Sequence, residues 1–304
     1  MRLHIVHRTS YHYDTPMPYA LQRLRMIPKD SAGQRVVSWT TQVDGGSKQV
    51  EYVDHHNNHV ELFSFNPDQH EIVIHCEGEV ETSDHAGMVG QHGGSAPLWY
   101  FCRETPFTRP GAAIRKLLRQ FDDPGAADGD APRLHKLSEL VRGAVAYEVG
   151  QTGATTTAEE ALNAGHGVCQ DHAHLFITLA RLLGYPARYV SGYLLMNDRV
   201  DQDAGHGWAE VHVAGLGWVG FDISNGYSPD ERYVRVATGL DYREAAPIGG
   251  ITFGKSNEAM NVTLKVQQMQ VQSQSQSQGQ SQSQGQSQSQ GQSQSQGQSQ
   301  TQQQ

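Results

Sequence analysis

"GHGVCQDHAHLF", residues 165–176, sets one cysteine between a pair of glycines and a run of histidines. From about Val168 to Leu183 the chain reads as a helix. Ala173, Phe176, Ile177, Ala180 and Leu183 form one apolar stripe, and Leu175, Leu179 and Leu182 a second. A helix apolar over this much of its circumference is a central, buried one. Gly184 and Pro186 end it. Cys169 therefore stands at the first turn of a buried helix, among unpaired N–H groups and the positive end of the dipole. Both favour a thiolate, and the same amides suit an oxyanion. The glycines permit a tight turn and a close substrate backbone.

A nucleophilic thiol needs a base, and the base needs a group to orient it. Downstream, alternation predicts strands at 187–195, 206–213 and 217–224, then at 232–237 and 261–267. On HGWAEVHV (206–213), His206, Trp208, Glu210 and His212 share a face. On GWVGFDIS (217–224), Trp218, Gly220 and Asp222 share one. If the turn centres near Gly215, His206 and Asp222 fall on the same face, opposed or offset by two residues. That is within reach of a hydrogen bond. A slip of one residue would separate them.

Upstream, Thr157 or Thr156 is placed to cap a short helix, with Glu159 and Glu160 in its first turn. Helical spacing also appears at 111–121 and 133–149. Residues 83–98 are rich in Gly, Ser and His and read as a linker. Residues 1–82 read as β. Leu3, Ile5, His7, Thr9, Tyr11 and Tyr13 alternate on one face, and runs follow at 36–43, 49–54, 60–65 and 71–81. Such short strands suggest a small sandwich-like module. The tail, 268–304, is Gln, Ser and Gly with almost nothing apolar, and is expected to be disordered. About 265 residues remain to fold.

Three motifs resemble one family. Cys169 in GVCQDHAHL, His206 in HGWAEVHV and Asp222 in GWVGFDISN are similar to the Cys–His–Asp triad of the transglutaminase-like superfamily. RLLGYPARYVSGYL (181–194) resembles its helix-to-strand connection. The N-terminal strands and RVATGLDYREAAPIGGITFG (235–254) resemble the flanks of its bacterial members of cysteine-protease type. The likeness spans residues 1 to about 267. It implies an α+β fold: a papain/transglutaminase-like core over 131–267, with the nucleophile helix packed on an antiparallel sheet. An all-β N-terminal module (1–82) and a linker with a helix (83–130) would precede it. It also implies amide chemistry through a thioester, with a protein or peptide as substrate. Gly167, Gln170 and Trp208 are the further candidates for the substrate or oxyanion site. The family commonly has HAWAE where this chain has Gly207, FDPTN where it has Ile223 and Ser224, and an aromatic at His172.

Hydrolysis is the expected outcome, since water is the default acceptor. Transfer to an amine, or an inactive binding module of the same fold, are the alternatives. A metal-dependent protein is a third. His166, Cys169, His172 and His174 lie close together, but on a helix 169 and 172 share a face and 174 points elsewhere. No closed tetrahedral set is completed. VDHHNNHV (53–60) reads as a polar hairpin turn. No metal or cofactor is expected. Cys76 and Cys102 read as structural.

The charge balance is acidic, 23 Lys+Arg against 32 Asp+Glu, and shows no nucleic-acid footprint. No apolar stretch is long enough to span a bilayer, and the N-terminus lacks a signal-peptide pattern. Three cysteines make no disulfide framework. A cytoplasmic protein with reduced thiols is the expectation. Nothing in the sequence fixes an oligomeric state.

Overall fold

A computed structural model describes residues 1–17, 19–123, 129–253 and 257–269. Most of the Gln-rich tail, from Gln270 onward, lies outside the described residues. Met1–Gln270 forms one compact unit.

Six strands come first: β1 (Arg2–Met17), β2 (Tyr19–Leu24), β3 (Gln34–Asp44), β4 (Gly46–Val53), β5 (His59–Phe65) and β6 (Gln69–Thr82). A short strand β7 (Met88–Gly90) and a 3-10 turn lead to helices α1 (Ala112–Leu118) and α2 (Asp130–Ala144). Then come β8 (Ala146–Tyr147), α3 (Ala158–Ala164), β9 (His166–Gly167) and α4 (Cys169–Leu182). Strands β10 (Ala187–Leu194), β11 (Asp201–Gln202), β12 (His206–Val213), β13 (Gly217–Phe221) and β14 (Tyr233–Gly239) follow. The chain closes with α5 (Tyr242–Ala245), β15 (Ile248–Phe253) and β16 (Glu258–Gln268).

The fold is α+β. The core sheet has the order β14-β10-β12-β13-β7, and its pairs are antiparallel. α4 lies against it, and Leu175, Phe176, Ile177 and Leu179 are fully buried in one cluster with Val211 and Phe221 of the sheet. Each such side chain contributes about 1.5–3 kcal/mol by leaving water.

Two further sheets, β11-β16-β1-β6-β3 and β15-β2-β5-β4, make up the N-terminal β module. The alternation read along β1 is present: Leu3, Ile5, His7, Thr9, Tyr11 and Tyr13 are all buried. That one face serves two cores. Tyr11 and Tyr13 pack with Phe63, Phe65 and Ile72 between the sheets. Leu3 and Ile5 pack with Tyr193, Val234 and Val236 of the core sheet.

Several elements differ from the reading of the sequence. The strand grouped with the core at 261–267 is β16, which instead pairs with β1 from Leu3↔Gln268 to Tyr13↔Glu258. β15, on a Gly-Gly segment without alternation, pairs with β2. The linker at 83–98 contains β7, an edge of the core sheet. The helix expected over 133–149 stops at Ala144. There Ala146 and Glu148 donate to the carbonyls of Gly165 and Gly167, so the chain becomes a parallel strand bracing the turn before Cys169.

The module and core meet through side-chain amides that act as backbone. Gln34 donates to Arg235 O and accepts from Arg235 N, each at 2.7 Å. Asn58 does the same with Thr238, at 2.8 and 2.9 Å. β14 is an edge strand, and these two residues satisfy the outward groups of its Arg235 and Thr238.

Candidate active site

α4 begins at Cys169, the candidate nucleophile of the sequence. Asp171, at the third helical position, accepts from Val168 N (2.8 Å) and from the Thr152 hydroxyl (2.6 Å). This carboxylate satisfies one of the amides that every helix start leaves open. Gly167 has a packing reason to be glycine: a Cβ there would lie 2.7 Å from Asp171 Cβ.

The hairpin has the register that unites His206 and Asp222. Its pairs run from Ala209↔Phe221 to Val213↔Gly217, which centres the turn on Gly215. Asp222 lies two residues along from the position opposite His206. His206 Nε2 donates to Asp222 Oδ2 at 2.6 Å, and His206 and Cys169 line the same cavity. Burial disfavours charge on His206, but the hydrogen bond to Asp222 and the neighbouring Cys169 overcome it and raise the imidazole to about 10. An imidazolium is thus held beside the sulfur across the neutral range.

Asp222 is fully enclosed and carries more than one donor. The Tyr233 hydroxyl and Asn225 Nδ2 each reach Oδ2 at 2.6 Å, and Asn225 N reaches Oδ1 at 3.2 Å. Burial alone would push this carboxyl up. The hydrogen bonds from His206, Tyr233 and Asn225 hold it below the usual carboxylate range. Tyr233 was not singled out from the sequence. Its place in an alternating strand gives no sign that its hydroxyl reaches across the sheet.

The remaining candidates separate. Gln170 lines the cavity and donates to Ala154 O at 3.3 Å. Trp208 is buried and does not line the cavity. It stacks beside His206, ring centroids 6.1 Å apart, with Tyr233 edge-on at 5.4 Å. This packing limits rotation of the imidazole plane. Trp218 is likewise internal, with the Arg188 guanidinium 3.7 Å above its ring.

The departures from the family pattern have partners. A Cβ at Gly207 would collide with the Tyr189 hydroxyl, so the tyrosine fills the space that the commoner alanine would take. His172 Nε2 donates to Val145 O, and Nδ1 accepts from Ser224, both at 2.9 Å. Two of the unusual positions therefore bond to each other. Burial lowers the pKa of His172 despite its bond to Val145, so it sits beside the site as a neutral ring.

A cavity of about 220 Å³ opens on Cys169 and His206. Tyr189 and Tyr242 form part of its wall, and His7 of the N-terminal module closes another part. His7 Nδ1 meets the Tyr193 hydroxyl at 3.0 Å, and burial pulls its pKa down to about 4.

The histidines around Cys169 do not converge. His174 faces away from the thiol, stacks on Phe107 and accepts from Tyr242 N at 3.0 Å. Cys76 is buried beside Met26. Cys102 is exposed rather than part of a core. Among the described residues no helix is long and apolar enough to cross a membrane.

Residues 3–81 match the bacterial transglutaminase-like N-terminal region, and residues 119–223 the transglutaminase-like superfamily. The second match contains Cys169, His206 and Asp222. An uncharacterized protein of Mycobacterium leprae is 26% identical over 289 residues, covering 88% of this chain and 99% of its own. An uncharacterized protein of Mycobacterium tuberculosis H37Rv is 28% identical over 291 residues, covering 87% and 92%. A solved structure from Cytophaga hutchinsonii, described as a "putative cysteine protease", superposes with a TM-score of 0.69 at 20% identity, over 89% of this chain and 92% of that one. At that identity it shows the shared fold. The chain belongs to the transglutaminase-like superfamily, with the bacterial N-terminal region in front of its core.

Proposed function

We propose that the protein is a thiol-dependent amide hydrolase acting on peptide or protein substrates through Cys169, His206 and Asp222. The observation that carries this reading is the His206–Asp222 hydrogen bond at the cavity that Cys169, at the start of α4, also lines. Each member has the environment its role needs. The thiol stands at a helix N-terminus. The base is oriented by a buried, ionised carboxylate.

The Cys169 thiolate attacks the amide carbonyl, and the first-turn amides of α4 hold the oxyanion. His206 then gives its proton to the leaving amine, and a thioester remains. Water, deprotonated by His206, releases the acid and restores the pair. An amine entering in place of water would give transamidation instead.

Site-resolved iodoacetamide labelling across pH tests the activated pair. Cys169 is expected to label quickly below pH 7 in the wild type and at least tenfold more slowly in His206→Ala. Labelling that rises only near pH 8.5, the ordinary thiol value, would point to an inactive binding module. Peptide turnover that survives Cys169→Ala would remove the nucleophile. A product carrying an added amine, with little free acid, would identify transfer as the reaction.

A further inference from the structure

The hairpin between β4 and β5 reads as a polar turn, and part of it is one. Asp54 accepts from the backbone of His56 and Asn58, each at 2.9 Å, and Asn57 takes a left-handed conformation at φ 59°. A turn does not explain its two histidines. His56 points inward, is 7% exposed, and places Nε2 2.8 Å from Glu244 Oε2 on α5. The His55 ring lies beside it, centroids 4.1 Å apart, with Nε2 3.1 Å from the Tyr100 hydroxyl. One ligand-type atom from each of His55, His56 and Glu244 falls within 4.8 Å of the others. Among the described residues this is the one such triplet, and it lies apart from the Cys169 site.

We propose that His55, His56 and Glu244 bind a Zn(II)-type divalent metal ion, which ties the N-terminal module to the wall of the active-site cavity. Two imidazoles and a carboxylate are a donor set for zinc, with bonds of about 2.0–2.2 Å and a fourth position left open. Tetrahedral ligands at that bond length stand roughly 3.3 Å apart. Exposed His55 can swing inward to meet this spacing, and the close His56–Glu244 pair opens slightly as the ion enters between them.

The surroundings favour the same reading. Glu244 accepts from Leu240 N as well as meeting His56. The Leu240 bond, 2.8 Å to Oε2, also orients the carboxylate, as outer partners do at metal sites. Glu244 lies two residues from Tyr242. That residue lines the cavity and donates its N–H to His174. An ion here would fix α5, and with it Tyr242.

The test uses the full chain carrying Cys169→Ala, so that zinc cannot bind the thiol. Chelator-stripped protein is dialysed against Zn(II), and bound metal is counted by mass spectrometry alongside the melting temperature. One retained equivalent and a raised melting temperature are expected. His55→Ala, at an exposed position, and Glu244→Gln should each weaken binding at least tenfold and abolish the thermal shift. His166→Ala, added as a control, should leave both unchanged. Absence of saturable uptake, or equal uptake in His55→Ala and Glu244→Gln, would overturn the proposal.

Discussion

Gly207 shows how a local departure is absorbed. The residue sits between His206 and Trp208 on β12, and the Tyr189 hydroxyl occupies the space where its Cβ would go. Gly207→Ala should therefore cost about 1–3 kcal/mol, the usual range for overpacking, read from urea denaturation. Adding Tyr189→Phe removes the colliding oxygen and should recover part of that loss. A double variant as unstable as the sum of the singles would show that this contact is not the cause. At this scale the sequence is informative for the three residues Cys169, His206 and Asp222. Cys169 was marked by its glycines and helix start, and His206 and Asp222 by period and turn. Tyr233, Tyr189 and His7 were not marked, because each reaches the site through a hydroxyl or ring from a strand whose alternation only says that it is buried.

Helix α3 shows the same divide among elements. Thr157 and Glu160 form a reciprocal cap, with Thr157 N donating to Glu160 Oε2 at 2.9 Å and Glu160 N to Thr157 Oγ1 at 3.3 Å. This motif is local and legible in four residues. Glu159, its neighbour, turns outward to a different helix. It accepts from Gly111, Ala113 and Ile114 N at 3.1, 2.7 and 3.1 Å, so it caps α1 from 48 residues away. No spacing rule announces such a partner. Glu159→Ala should destabilise the protein by about 1–2 kcal/mol. It should also speed amide exchange at Ala113 and Ile114. Unchanged exchange there would remove Glu159 as the cap. The β12–β13 hairpin was readable for the opposite reason, since its turn residues and alternation lie within sixteen positions of one another and fix one register.

Across the whole molecule, the buried histidines set the response to acid. Burial lowers His7 to about 4 and His174 to about 3, well below the value each has in an unfolded chain. Between pH 6.5 and those values the unfolded state binds more protons, so stability falls as pH drops. Each neutral ring contributes about 1.4 kcal/mol per pH unit in that window. His206 acts with the opposite sign. Its raised value gives stability that is full below pH 6.5 and is lost as pH climbs towards about 10. Denaturation measured at pH 6.5 and 5 should show the acid loss, and His7→Gln should make its slope shallower by about one proton. An unaltered slope would mean that His7 is not held neutral.

Strand β1 belongs to the start of the chain, and β16, which pairs with it over eleven residues, to the last part of the described fold. Between β6 and β16 the ribosome must make the helices, the core sheet and Cys169. At about 5–20 residues per second that interval lasts on the order of 10–40 s. Throughout it the nascent chain carries β1 with one edge unpaired, a row of free amides and carbonyls open to any neighbouring strand. Translation speed and chaperone cover over that interval then bear on how much protein escapes aggregation.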